Sequence, residues 1–360
     1  MQQIAEALEA EAEGDLSLRL KGPAQPERAG HDDLALAMDP KFIPDLASGA
    51  ARVAVLPIGT DWRALGLRAA IFAPHPRYAL SGVNALFEKP VLTPDGIHPS
   101  AVISAQAEIG ENPSIGPFVV IGAGVRIGAN ARILSHVSIA ENARIGVDCL
   151  LHQGVRIGAR VHIGARFIAQ PNAVIGADGF SHVNPDPGAV EAARAGRQPT
   201  KDQPQKQGFT RINSLGSVRI GDDVELGACA VIDRGTISDT TIGNGTKIDN
   251  LVQLGHNVQV GSNCLICAQA GSGGSAVISD RVVLAGQVGV ADHVTVGENV
   301  VAAGKSGISS NVPPNRFIMG NPAIKAEANV ESYKAYRRLP KLMAKVEALQ
   351  KQVAKLRKDK

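Results

Sequence analysis

Aromatic side chains are nearly absent from this 360-residue chain: they make up 3 %, with one Trp and three Tyr. A globular core of such a length is ordinarily anchored by large rings. Their scarcity, beside 39 glycines and recurrent Ile and Val, points to a repetitive interior of small branched side chains. Cysteine is scarce too. Cys149, Cys229, Cys264 and Cys267 are too few and too irregularly spaced for a disulfide framework. Cys264 and Cys267 form a CxxC, yet no second CxxC follows for a zinc ribbon and no helix start accompanies it for a redox pair. No apolar run approaches the roughly 18 residues that cross a bilayer. The opening MQQIAEALEAEAEGD has neither the basic nor the apolar stretch of a secretory leader, so a cytoplasmic chain without a transmembrane segment is expected.

Charge is balanced overall and segregated along the chain. The net charge is +3, but residues 325–360 carry 11 Lys/Arg against 4 Asp/Glu, leaving 26 against 30 for the remainder. The basic end is a candidate surface for an acidic protein partner, and no nucleic-acid partner is expected.

What the sequence does contain is a period of six. Every sixth residue from Ile97 to Ile175 is Ile or Leu except Ala169, and Gly follows at 110, 116, 122, 128, 146, 158, 164 and 176. A second train runs through Ile220, Leu226 and Ile232, slips phase, and resumes at Ile242, Ile248, Leu254, Val260, Ile266, Ser272, Ile278, Leu284, Val290 and Val296. Short strands and turns repeating at six residues, with Gly available where the backbone needs φ > 0, make a parallel β-helix of triangular section. Three hexapeptides close one coil, coils stack about 4.8 Å apart, and the aliphatic residue of each hexad points inward.

The expected organisation is therefore an N-terminal α/β domain over 1–96, a β-helix over 97–323 and a helical extension over 324–360. Within 1–96 the pattern predicts helices at 2–12, 33–46 and 77–87 and strands at 16–20, 52–56 and 68–73. Residues 177–217 break the period with Pro, Asp and charged residues, and a loop of that length is functional or disordered. It reads as a substrate-covering loop anchored at Phe180. Near the end, Leu342, Val346, Leu349, Val353 and Leu356 form a short heptad seam that needs partner helices.

One stretch of the second train departs from plain repeat sequence: IDNLVQLGHN, residues 248–257. Asp249 takes a turn position where Gly is usual, and His256 follows in the next hexapeptide but one residue out of step, so both are expected to point outward from neighbouring corners. Gly274 follows His256 by three whole hexapeptides, one coil above it, where its N–H would make an oxyanion donor. His293 lies two coils plus one residue beyond His256, and the four positions are expected to share one strip of surface. A histidine can take a proton from an attacking amine near neutral pH, and a carboxylate beside it would fix its tautomer. A thioester donor already has a good leaving group, so no covalent nucleophile is needed. The plain alternative is a surface histidine. His136, His152 and His162 are separated by neither a whole coil nor a whole hexapeptide, a poor fit to three ligands on one zinc, and no metal is expected. The GSGGS of 271–275 lacks the Lys-Ser/Thr of a phosphate-binding loop.

Taken together, IGADGF (175–180), IGDDVELGACAVIDRGTISDTTIGNGTKIDN (220–250), VQLGHNVQVG (252–261) and CAQAGSGGS (267–275) resemble the UDP-3-O-(3-hydroxyacyl)glucosamine N-acyltransferases of lipid A synthesis. The resemblance extends over nearly the whole chain. It implies a left-handed β-helix, an exception to the right-handed rule for parallel crossovers. It also implies a homotrimer with active sites between subunits, a uridine-binding N-terminal domain, and transfer of a hydroxyacyl chain from acyl carrier protein to the amine of UDP-3-O-acylglucosamine. No bound cofactor is implied; 4'-phosphopantetheine arrives with the carrier, which the basic C-terminal helix would dock.

In the resemblance His256 is general base, Asp249 its orienting partner, Gly274 the oxyanion donor and His293 an acceptor contact, with Asn250, Gln253 and Phe180 among the substrate-binding residues. Where the family shows FxxNPKY, this chain reads LAMDPKF (36–42). Phe42 retains a ring for uracil, Leu36 cannot stack, and Asp39 replaces a neutral amide. Three alternatives remain: an O-acyltransferase acting on UDP-N-acetylglucosamine, a sugar-nucleotide N-acetyltransferase, and a non-catalytic solenoid scaffold.

Overall fold

The computed structural model describes residues 1–73, 75–184, 192, 196, 208–320 and 323–358. The chain divides into two units, Met1–Leu92 and Thr93–Lys360.

In the first unit, β1 (Glu11–Gly14), β2 (Gly22–Ala24), β3 (Asp33–Leu36), β4 (Val53–Leu56) and β5 (Ala69–Phe72) form a sheet of order β1-β5-β4-β3-β2. It is parallel except for β1. Alternation at period two gives the sheet two buried faces. Leu34, Val53, Val55, Ala69 and Ile71 pack with Ile4 of α1 (Gln2–Ala7) and with Ala79 and Val83 of α2 (Pro76–Leu86). Ala35, Ala54, Leu56, Ala70 and Phe72 pack instead with Leu46, Trp62 and Leu67.

Three expectations for this unit are corrected. The first helix stops at Ala7, and the strand that follows it is Glu11–Gly14, paired with β5, rather than 16–20. The segment 33–46 begins as β3, held between β2 and β4 with Leu34 and Ala35 fully buried on opposite faces. It then makes two 3-10 turns, Pro40–Phe42 and Pro44–Ser48, because each proline lacks the N–H that a continuing α-helix requires.

The second unit is a mainly β structure, a left-handed parallel β-helix. Among the described residues its three faces hold 11, 10 and 9 strands. The first face runs from Gly96–Ile97 to Phe317–Ile318, the second from Val102–Ile103 to Gly307–Ile308, and the third from Glu108–Ile109 to Thr295–Val296. Each strand pairs in parallel with the strand one coil away, as Ile121 does with Ile139 and Ile139 with Ile157.

The core takes two residues per hexapeptide. Ile121, Ile127 and Ile133 are buried, and so are Val119, Val125 and Ala131 two positions before them. Cys149 and Cys264 occupy that second inward position, where burial pushes the Cys149 thiol up to about 12 and raises the Cys264 thiol as well. The single lapse in the first train, Ala169, is filled by Phe167, the largest fully buried side chain. Volume is conserved within the hexapeptide.

The repeat glycines have a different cause from the one their spacing suggests. Positive φ falls two residues later, at Asn112, Asn130 and Asp148, residue types that tolerate the left-handed region. Apart from Gly176, the glycines that follow Ile are there because coils stack closely. A Cβ on Gly146 would lie 2.5 Å from Gly164 C and 2.6 Å from Ala165 N.

After the β-helix, α3 (Ala326–Lys358) carries Pro340 in its interior, and Leu342, Val346, Leu349, Val353 and Leu356 are all exposed along it. No helix among the described residues is long and apolar enough to cross a membrane.

Gly146→Ala should therefore destabilise the β-helix by about 1–3 kcal/mol, the usual cost of overpacking, although its φ is ordinary. Thermal unfolding followed by circular dichroism checks this; an unchanged melting temperature would remove close stacking as the reason for the glycine.

Candidate functional site

The regular coil advances three hexapeptides, as from Leu254 to Ser272 on the second face. Two coils are longer, and both open at the turn that follows a second-face strand. Ile175 pairs with Ile232, far beyond the regular advance, because residues 178–216 leave the coil after Val174–Ala177. Ile232 pairs with Leu254, again past the regular advance, because four extra residues follow Val231–Asp233. An insertion costs no core residue at a corner, where the inward columns are interrupted. Both therefore collect at one edge of the prism, and His256 sits on the next turn of that edge.

The excursion folds back as a short hairpin in which His182–Val183 pairs antiparallel with Thr210–Arg211. Its root is pinned electrostatically. Asp178 forms an ion pair with Arg211 and lies 3.8 Å from the Nε of Arg234. Arg234 is itself buried and donates from Nε to the Gly176 carbonyl at 2.9 Å. The Gly179 N–H donates to Ser214 Oγ at 3.0 Å, and a Cβ on Gly179 would fall 2.6 Å from His256 Cβ. The hairpin thus lies directly against the histidine. Residues 185–191, 193–195 and 197–207 of the excursion lie outside the described residues.

Between hairpin and coil is a cleft of about 810 Å³ lined by Phe180, Val183, Phe209, Ile212, His256, Gly273, Gly274, Asp292 and His293, with Ser181 and His182. Phe180, Phe209 and Ile212 are exposed on its wall, so the cleft offers apolar surface beside an imidazole. Gly274 stacks on His256, whose carbonyl accepts from the Ser275 N–H at 2.8 Å, and its own carbonyl accepts from the His293 N–H at 3.0 Å. With no side chain at Gly274, the ring leans into the empty space: a Cβ there would lie 2.6 Å from Cε1 and 2.7 Å from Nε2 of His256.

On the other edge of the ring, Nδ1 is 3.1 Å from Asn257 Oδ1 and 3.4 Å from Thr236 Oγ1. Thr236 belongs to the four-residue insertion. Beneath the site, burial pushes the Asp233 carboxyl above its ordinary range. The neighbouring Asp178 adds to the push, while a hydrogen bond from Gln253 and the charge of His256 oppose it.

His256, Gly274, His293 and Phe180 are thus brought together, and Gln253 lies next to them through Asp233. Asp249 is a correction. Its distance before His256 is one face plus one residue, which puts it on the turn after the first face. There Oδ1 accepts from the Asn250 N–H at 2.7 Å and Oδ2 from the Ala268 N–H at 3.0 Å. Within one chain it does not orient His256. Asp249 and Asn250 line a separate cleft of about 440 Å³ with Gln170, Lys247 and Cys267. In the first unit, the Asp39 carboxylate accepts from the Lys41 N–H at 3.1 Å and pairs with Lys41 Nζ at 3.2 Å. The exposed Phe42 ring has that ammonium 4.7 Å from its centroid.

Thr236, Asp233, Asn257, Asp292, Phe209 and Ile212 were not picked out from the sequence, although the phase slip between Ile232 and Ile242 marks where two of them lie. No group of three or more His, Cys, Asp or Glu side chains that would hold a metal ion occurs among the described residues.

Comparison with known proteins now adds to this geometry. A family model described as bacterial transferase hexapeptide (six repeats) matches residues 239–271, and one described as GMPPB C-terminal domain matches 93–179. The UDP-3-O-acylglucosamine N-acyltransferase of Ruegeria pomeroyi is 51 % identical over 353 residues, covering 98 % of this chain and 97 % of that protein. Its counterpart in Paracoccus denitrificans is 50 % identical over 355 residues, covering 98 % and 96 %. Among solved structures, the Arabidopsis UDP-N-acetylglucosamine acyltransferase matches with a TM-score of 0.51 at 22 % identity, over 62 % of this chain and 71 % of that one, a likeness of fold.

Gly274→Ala would drive a methyl group into the His256 ring while leaving an ordinary backbone conformation. It should lower any turnover that uses this imidazole by about 100-fold, the usual effect of misplacing a reacting group. Its melting temperature should not change. Activity and melting measured on one preparation separate the two effects, and a fully active Gly274→Ala protein would mean that the ring position does not matter.

Proposed function

The chain belongs to the UDP-3-O-acylglucosamine N-acyltransferase family, and from that membership we propose how its residues carry out the transfer, with His256 as the base and acyl carrier protein as the donor. The enzyme acylates the 2-amine of UDP-3-O-acylglucosamine, a step of lipid A biosynthesis. The observation that carries the proposal is the His256 imidazole standing at the edge of an apolar cleft with Nε2 turned to the open space over Gly274.

The amine nitrogen attacks the thioester carbonyl carbon, and His256 takes the proton that the nitrogen must lose. The developing oxyanion accepts from the Gly274 N–H. Collapse breaks the C–S bond, and the imidazolium returns its proton to the departing thiolate, so one amide and one thiol leave for each amine and thioester that enter. The thiol is the carrier's 4'-phosphopantetheine arm, and the chain contributes no prosthetic group of its own. Phe180, Val183, Phe209 and Ile212 supply apolar wall for the acyl chain. His293, in the same cleft, contacts the acceptor, and Phe42 stacks on its uracil, with Asp39 an indirect contact. A weaker acceptor affinity in Phe42→Ala, read by calorimetry, checks the stacking.

A homotrimer follows from the same reading. Asp249 and Asn250 line one edge of the prism while His256 lines another, so a threefold arrangement lets one subunit's carboxylate serve its neighbour's site. The exposed apolar stripe of α3 needs partner helices for the same reason. Its basic character suits an acidic carrier protein, and we read the assembly as cytoplasmic. Sedimentation at micromolar concentration should give three chains per particle; a monomer would count against the shared site.

His256→Ala should lower turnover by roughly 100-fold or more, the range for loss of a general base, while folding survives because the side chain lies outside the Ile core. Mass spectrometry of products from UDP-3-O-acylglucosamine and hydroxyacyl carrier proteins is the measurement. Full activity in a correctly assembled His256→Ala protein would assign the proton to another residue, with His293 the next candidate.

A further inference from the structure

We propose that Asn257 is the positioning residue that sets the tautomer of His256, and that the four extra residues of this coil hold Asn257 in the orientation that does so. The inference rests on the reading of His256 as the base.

Asn257 takes one of the left-handed corner positions, with φ +62°. Its N–H donates to Thr240 Oγ1 at 2.9 Å, and Thr240 is fully buried. The side-chain amide faces the insertion. Oδ1 accepts from the Thr236 N–H at 3.0 Å, and Nδ2 donates to the Ser238 carbonyl at 2.8 Å and to Ser238 Oγ at 3.1 Å. A backbone N–H can only donate and a carbonyl can only accept, so the amide has one allowed orientation. Oxygen, which can only accept, is the atom presented to His256 Nδ1 at 3.1 Å. The imidazole proton therefore sits on Nδ1, and the lone pair sits on Nε2, the nitrogen turned toward the cleft.

Without the insertion neither Thr236 nor Ser238 would reach this corner. The slip in the hexapeptide period thus has a chemical consequence: it orients a neutral amide where the sequence pattern suggested the carboxylate of Asp249. A neutral acceptor selects the tautomer without adding a full charge, so it raises the basicity of the ring less than a carboxylate would. Among the described residues, His182, Asp292 and His293 line the same cleft as the ring, and Asp233 lies near it with Asp178 beside it, Asp178 facing Arg211 and Arg234 in turn.

The test uses the full-length protein in three forms: unaltered, Asn257→Gly and Asn257→Asp. Glycine keeps the left-handed backbone and removes the amide, whereas aspartate keeps an acceptor and adds charge. Nitrogen-15 spectra of labelled histidine, with His256 assigned by comparison with His256→Ala, read the tautomer directly above the pH where the ring titrates. The unaltered protein should show Nδ1 protonated and Nε2 bare, and Asn257→Gly a mixture of both forms. Turnover in Asn257→Gly should fall about tenfold with KM unchanged. Asn257→Asp should recover turnover, with the acidic limb of its kcat profile moved to higher pH by about one unit or more, because a carboxylate favours the imidazolium.

A proton on Nε2 in the unaltered protein, or an Asn257→Gly protein with unchanged nitrogen shifts and kcat, would overturn the proposal. The spectra need no turnover. Protonated Nδ1 in a protein that makes no amide would support the tautomer and tell against acyl transfer, so the two readings fail separately.

Discussion

Coil-on-coil backbone hydrogen bonding is the constraint on which everything else in the β-helix depends. Each strand donates to the strand one coil away, so every residue stands over a counterpart and each column has a single environment from end to end. Two inward columns per face are filled mainly by apolar side chains, with small hydroxyl residues at Thr240, Thr246, Ser272 and Ser306, and volume is conserved where Phe167 accompanies Ala169. A third column, after each inward Ile, passes so near the next coil that many of its members have no Cβ. Adjacent coils support one another, and a change of length is tolerated only where the ladder is already broken, at the corners.

The site uses that tolerance at one corner. The long excursion supplies an apolar wall and an ion-paired root at Asp178 and Arg211, and the short insertion supplies Thr236 and Ser238. The columns do the rest. His256 leans over Gly274 because the residue above it lacks a side chain, and His293 occupies the corresponding turn one coil further on. The geometry of the cleft and the stability of the solenoid are thereby largely separated: the side chains that line the cleft lie in outward columns, and beneath them the apolar columns continue, with the small Ser272 taking one inward place. A mutation at the site can alter chemistry at little cost to the fold, whereas one in the column after Ile threatens the fold first.

The fate of Asp249 shows how register controls chemistry in a triangular solenoid. One hexapeptide moves the chain to the next face and three return it to the same one, so a partner one hexapeptide and one residue away is on another edge of its own chain. Its two carboxylate oxygens cap the turn N–H groups of Asn250 and Ala268. The nearest fixed acceptor to His256 is instead its own neighbour in sequence, Asn257.

Much of this was legible in the chain by itself. A period of six in Ile, Leu and Val specifies inward columns whatever the surroundings, and the three-hexapeptide repeat puts Gly274 above His256 without any structure. Local pattern was weaker where tertiary burial decides. Leu34 and Ala35 look helical but are strand residues buried on both faces, and the repeat glycines look like turn residues but answer to the coil above them. The phase slip after Ile232 was visible as a break, yet its purpose was not, because the length of an insertion says nothing of which N–H and which carbonyl it will present. Only the folded corner decided that Thr236 and Ser238 would grip the Asn257 amide from opposite sides. Hydrogen-bond direction is a property of groups held in space, and no spacing in the sequence encodes it.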